Sequence, residues 1–172
     1  MKHGQRAAWC VFAAVLAWTL DPAGVFAAEA TTSPPALASS PHAATADALR
    51  AQALLKKAVA HYAALQDRAF PDFNQGPQYI DRELYVYVVS SVTGVMLASG
   101  GPSFALINKN VTDLEDATGK AFFQEMFSKA QAGSSGSVEY LWLNRVDNKE
   151  ETKVAFFQKV DDRIIAVGYY QR

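Results

Sequence analysis

Two groups of residues have the types and spacing to do chemistry. The first is "TDLEDATGKAFFQEM" at 112–126, which sets Asp113, Glu115 and Asp116 just ahead of an apolar run. Three carboxylates this close could hold a divalent cation or act as an acid–base pair. A calcium loop needs oxygen ligands at alternating positions and a closing Glu. Here Leu114 interrupts, and nothing closes the loop at the required distance. Acids at a helix start instead satisfy free N–H groups and complement the dipole, for roughly 0.3–2 kcal/mol each. Thr112 with Glu115 matches a capping box, and Asp116 or Thr118 is placed to cap the helix that follows. The reading is helix capping, with no metal.

The second group lies on segments of period two. Tyr85 and Tyr87 share one face of "ELYVYVVS", and Val138, Tyr140 and Trp142 share one face of "SVEYLWLN". Lys153, Ala155, Phe157 and Lys159 fall on one face of "TKVAFFQKV", with Val154 and Phe156 opposite. Such aromatics can be plain core. Buried phenols and indoles nevertheless need partners for their O–H and N–H. A concave sheet face with several such groups and one lysine is also what a small anion requires, with aromatic walls to exclude water and a few polar groups to orient it.

Other chemistries find no support. His42 and His61 have no metal spacing and no nearby Ser, Cys or Asp in sequence, and are read as solvated. No Ser sits in a G-x-S-x-G elbow, and "SGGPSF" and "GSSGS" are not followed by G-K-[ST]. The one cysteine, Cys10, lies near the N-terminus. The rest of the chain therefore has no disulfide, thiol nucleophile or Cys-based metal site. A net charge of −1 leaves no electrostatic footprint for nucleic acid. No catalysis and no cofactor are expected.

The candidate side chains need a scaffold. Half of the 172 residues are hydrophobic, enough for one domain with a core. Leu49, Ala53, Leu54, Ala58, Val59, Tyr62 and Leu65 recur at helical spacing, and Pro71 with "FNQGPQ" ends that helix. Two strands (83–90 and 94–99) follow, joined by a turn at Val92-Thr93-Gly94. "GGPSFALINKN" is a loop, with Asn108 suited to positive φ. A helix at 121–130, stopped by "GSSG", leads to strands at 137–144, 152–160 and 163–170. In the last, Ile165, Val167 and Tyr169 alternate with Ile164, Ala166 and Gly168. This is an α+β layout with one mostly antiparallel sheet.

The first 27 residues read as a signal peptide. Lys2, His3 and Arg6 precede "AAWCVFAAVLAWTL", and Val25-Phe26-Ala27 offers a cleavage site. The apolar run is short for a membrane span; an uncleaved anchor is the rival reading. Residues 28–45, rich in Ala, Ser, Thr and Pro, form a linker. The domain is expected over 46–172 and the location is expected to be periplasmic, with the chain ending where a receptor would enter the membrane.

"DRELYVYVVSSVTGVMLASG", "NKNVTDLEDATGKAFFQEM", "GSVEYLWLN", "TKVAFFQKV" and "IIAVGYY" occur in the order seen in single Cache domains, the extracytoplasmic sensor modules of bacterial chemoreceptors and sensor kinases. The resemblance covers residues 48–170. It is most specific in D-L-x-D-x-x-G-K-x-F (113–122) and V-E-Y-x-W (138–142). It implies a PAS-like fold, a long N-terminal helix on a twisted antiparallel sheet of about five strands. It also implies a ligand pocket on the sheet face for small molecules such as short organic acids. Asp116, Gly119 and Lys120 look like the conformational block before the second helix. Tyr85, Tyr87, Tyr140, Trp142 and Lys153 look like pocket-side positions, and Ser99 stands where members often carry His. Arg145 stands where many have Pro. On this resemblance Lys153 would pair with a carboxylate, the tyrosines would donate hydrogen bonds and Trp142 would form a wall. The partners implied are a small organic acid and a membrane receptor or sensor kinase. The alternative is an interaction module without a ligand, or a homodimer through the N-terminal helix.

Overall fold

Every side chain of Leu84–Ser90 is buried, so that strand needs a packed layer on each face. The computed structural model describes residues 46–171. The expected signal peptide, linker and His42 lie outside them. Six strands form the sheet: β1 (Ile80–Asp81), β2 (Leu84–Ser90), β3 (Met96–Ser99), β4 (Ser135–Asn144), β5 (Lys149–Val160) and β6 (Arg163–Tyr170). Their order is β1-β2-β6-β5-β4, with β3 beside β1 on the outer edge of β2, and every pairing is antiparallel. The α+β class is as expected. The sixth strand is β1, two residues too short to register as a period.

One face of the sheet carries α1 (Ala46–Leu65) and α2 (Phe70–Gln75). Ala48, Ala51, Leu54, Leu55, Ala58 and Tyr62 of α1 pack against Val86 and Val88 of β2 and Ile165 and Val167 of β6. Three alanines on this face let the helix approach closely. The buried stripe is rotated from the expected one, since Leu49 is 56% exposed and Ala53 is exposed. Pro71 does not end helical structure. The chain makes a 3₁₀ turn at Gln66–Ala69 and resumes as α2 with Pro71 in its first turn, where a missing N–H costs nothing. His61 is not simply solvated either. Its Nε2 lies 2.7 Å from Asp72 and its ring packs on Phe73 and Tyr79.

The opposite face carries α3 (Phe122–Ala132) and the segment leading to it. Phe122, Phe123, Met126 and Ala130 cover Tyr85, Tyr87, Val89, Tyr140, Ala155, Phe157, Ile164 and Ala166. Within the expected loop, Pro102–Leu106 forms a 3₁₀ turn, and Asn108 has φ 67° as anticipated. Among the described residues no helix is long and apolar enough to cross a membrane.

The acidic stretch does not cap α3. That helix begins at Phe122, and its N-cap, Ala121, makes no side-chain bond. No capping box forms around Thr112, whose N–H donates to Asn110 Oδ1. Asp116 instead accepts from the Thr118 N–H, the Thr118 hydroxyl and the Lys120 N–H. Its other oxygen accepts from the Leu141 N–H at 2.9 Å. Lys120 Nζ donates to the Glu139 carbonyl, and Lys129 Nζ to the Ser137 carbonyl at 2.7 Å. Together these satisfy alternate backbone groups of β4, the free edge of the sheet, which would otherwise be open to pairing with another chain. Gly119, at φ 82°, supplies the left-handed residue this tight return needs.

Candidate ligand-binding site

Strand alternation sends Tyr85 and Tyr87 of β2, Tyr140 and Trp142 of β4, and Lys153 of β5 to the face covered by α3. Tyr140 faces Lys153 across the β4–β5 ladder, and Lys153 faces Tyr170 across β5–β6. The Tyr87 and Tyr140 hydroxyls lie 3.3 Å apart. Phe122 stacks on Tyr140 with ring centres 4.0 Å apart, and Trp142, half-buried, meets both edge-on.

Lys153 is 0% exposed. Its Nζ sits 3.9 Å from the centre of the Tyr85 ring and 4.8 Å from that of Tyr170. No hydrogen-bond acceptor among the described residues reaches it. Burial pushes the amine well below its ordinary pKa, against the opposing pull of Glu83. The phenols are driven the other way. Burial raises Tyr85 to about 12, partly offset by Ser103 and Trp142, and raises Tyr87 and Tyr140 further. The phenols are therefore protonated donors throughout the neutral range.

The face is nearly filled. The hollow bounded by Tyr85, Tyr87, Ser103, Phe122, Tyr140 and Trp142 has a volume of about 10 Å³, at the limit of what one water needs, roughly 10–15 Å³. A second hollow of about 20 Å³ lies beyond Tyr85, bounded by Arg82, Glu83, Gly100, Gly101, Arg145 and Tyr170. The ligand pocket expected on this sheet face is thus closed down to a small hollow, with Phe122 stacked on Tyr140 at its wall. A ligand must displace side chains to enter.

Of the expected site residues, Tyr85, Tyr87, Tyr140, Trp142 and Lys153 come together. Ser99 lies opposite Tyr87 in the ladder but is engaged within its own loop. Its hydroxyl is 2.7 Å from that of Ser103 and accepts from the Gly101 N–H, while its N–H donates to Asn74 Oδ1. Ser103, not Ser99, reaches the hollow.

Four residues at the site were not anticipated: Ser103, Phe122, Gly168 and Tyr170. A Cβ on Gly168 would overlap Lys153 Cε, so this glycine lets the lysine lie across β6. Glycine inside a strand signals such a close approach. A Cβ on Gly101 would likewise overlap the Tyr85 ring.

An antiparallel sheet backed by a long helix, with an aromatic face closed by a second helix and a loop, is the architecture of PAS-like sensor modules. The chain belongs to the single Cache domain 2 family, whose model matches residues 52–171. Cache domains are extracytoplasmic sensory modules. A methyl-accepting chemotaxis protein from Vibrio parahaemolyticus RIMD 2210633 is similar at 19% identity and TM-score 0.57, covering 71% of this chain and 86% of that one. A periplasmic sensor domain of a chemotaxis protein matches at 21% and 0.57, covering 72% and 90%. A Cache chemosensory domain described for its carboxylic acid recognition matches at 19% and 0.56, covering 72% and 88%. At these identities the likeness establishes the fold. No curated protein matches in sequence.

Proposed function

We propose that this protein is a periplasmic sensor module that binds a short organic acid without turning it over, with Lys153 meeting the carboxylate. The observation that carries this reading is the Lys153 amine, fully buried and without an acceptor among the described residues. A lysine almost never sits fully buried unless it is paired, and an orphaned buried donor costs about 1–3 kcal/mol. A core that only had to fold would carry Met or Leu there. An incoming carboxylate supplies the missing acceptor, and a desolvated charge-assisted bond is worth roughly 1.5–3 kcal/mol.

The Tyr85, Tyr87 and Tyr140 phenols would turn their hydroxyls to the acid as donors once it opens the neighbouring hollow, with Trp142 as a wall. The closed hollow favours a ligand of few atoms. On this reading Lys153 serves to bind the acid and not to attack it. Signal output would pass to a membrane receptor or sensor kinase, in keeping with the chemotaxis proteins that share the fold. A thermal-shift screen of sodium salts of one- to four-carbon acids tests the reading. Binding raises Tm by mass action, and a protein that responds to none is not an acid sensor.

A second reading is supported by Leu49, a large apolar residue exposed on the outer face of α1, where exposed Ala53 and Ala60 leave room for a second helix. On that reading α1 is a dimer or partner contact. Light scattering of the wild type and Leu49→Asp distinguishes a dimer that dissociates from a chain that is monomeric throughout.

A further inference from the structure

We propose that the site takes up its acid together with a proton: each carboxylate that enters is accompanied by one H⁺, which ends on Lys153 Nζ. This rests on the carboxylate reading above and concerns how that same site is regulated. The reaction is RCOO⁻ plus H⁺ plus the free amine, giving a buried ammonium–carboxylate pair. No covalent bond is made or broken apart from the new N–H.

The surroundings of Nζ decide its protonation. From β2 it meets the Tyr85 ring face, and from β6 the Tyr170 ring face. The Tyr170 hydroxyl donates to the Leu143 carbonyl. From β4, Tyr140 lies opposite in register, and its hydroxyl is engaged with Tyr87. On β5 itself, Glu151 accepts from the Asn144 side chain at 2.6 Å, and Ala155 is apolar. To the neighbouring hollow α3 brings Phe122 and Phe123, and the 102–106 turn brings the neutral Ser103. Glu83, just before β2, pulls the amine toward the charged form, and burial outweighs it; Arg82 and Arg145, which line the hollow beyond Tyr85 with Glu83, add no acceptor.

An ammonium here would find two ring faces but no hydrogen-bond acceptor within reach among the described residues for its three donors. The charged form is therefore disfavoured until an anion arrives. The proton cannot come from a neighbouring phenol, because burial raises Tyr85, Tyr87, Tyr140 and Tyr170 alike. It is drawn from solvent or arrives on the acid. Affinity for the acid then falls as pH rises, by up to tenfold per unit, whereas a permanent ammonium would bind with the same affinity across the neutral range. A sensor built this way reports the product of acid and proton concentrations.

Calorimetry at pH 8 in phosphate and in Tris, which differ in ionisation enthalpy, counts protons taken up. The probes are sodium formate, acetate, propionate and lactate. The NMR shift of Lys153 Cε, in protein carrying ¹³C-lysine and assigned with Lys153→Met, reports its charge directly. The expected result is an amine that is neutral before titration, becomes ammonium on adding the acid that binds, and takes up about one proton per acid. Binding with no proton uptake, or an ammonium already present without acid, overturns the inference and leaves the carboxylate reading standing. If none of the four acids produces heat or moves the Cε signal at pH 6 or pH 8, the carboxylate reading falls and this inference with it.

Discussion

Lys153 and Tyr85 sit on strands that are not neighbours, yet the lysine amine lies 3.9 Å from the centre of the tyrosine ring. The strand between them, β6, lets the side chain pass because residue 168 is glycine. A lysine on β5 is thereby aimed at the centre of the aromatic face rather than at its edge.

Gly168→Ala should separate fold from site. The added methyl meets the flexible end of Lys153 and not backbone, so the lysine can be pushed aside while the sheet survives. Circular dichroism and cooperative unfolding should stay near wild type. Affinity for the acid found in the thermal-shift screen should drop by about tenfold or more, the worth of a displaced charge-assisted bond. Unchanged affinity would mean the lysine does not need this path.

Lys153→Met should stabilise the protein. It removes a buried amine without a partner and keeps the volume, for a gain of roughly 1–3 kcal/mol in urea unfolding. The pH dependence carries the sign. Lys153 is depressed in the folded protein, so the unfolded chain binds more protons, and stability rises with pH until the unfolded lysine titrates near pH ~10.4. The slope is at most about 1.4 kcal/mol per unit. Below pH ~9 the raised tyrosines add no slope of their own, because they are protonated in both states. The wild type should therefore gain stability between pH 7 and 9, and Lys153→Met should be flatter over that range. Parallel curves would place the amine's proton elsewhere.

Tyr87 and Tyr140 should be coupled. Removing either hydroxyl leaves the other buried and unpaired, at a cost of about 1 kcal/mol. Removing both should cost less than the sum. A double-mutant cycle with Tyr87→Phe and Tyr140→Phe should give a coupling of roughly 0.5–1.5 kcal/mol. Strict additivity would show that the 3.3 Å contact carries no energy.

Asp116→Ala should loosen the edge of the sheet. Four donors converge on this carboxylate. Burial opposes ionisation, but the bonds from Thr118, Leu141 and Lys120 outweigh it and hold the pKa at about 2. The group is partly solvated, so the loss should be modest, about 1–2 kcal/mol. Hydrogen exchange should quicken at Leu141. The stability it contributes is present above the unfolded pKa near ~3.9 and is lost as pH falls through about 2. The variant should lack that part of the acid limb.

Period-two alternation was enough to put Tyr85, Tyr87, Tyr140, Trp142 and Lys153 on one face, because a strand offers only two. It could have found Tyr170 as well, two residues beyond Gly168 on the same side. Contacts set by tertiary approach were not legible. Ser103 reaches the hollow only because the 102–106 turn folds back over it, and Asp116 finds Leu141 25 residues away. Local rules assigned Asp116 to the nearest helix, when its oxygens were needed by an unpaired edge strand. The closure of the hollow was hidden too, since hydrophobic pattern encodes faces but not the volume left between them.

If the Lys153 amine is held in reserve for a carboxylate, its removal must cost affinity. Calorimetric titration of the acid that raises Tm, into wild type and Lys153→Met side by side at pH 6, tests this most directly. Saturable binding to the wild type is expected, with at least a tenfold loss in the variant, in a protein that is no less stable. Equal affinity in the two would contradict it.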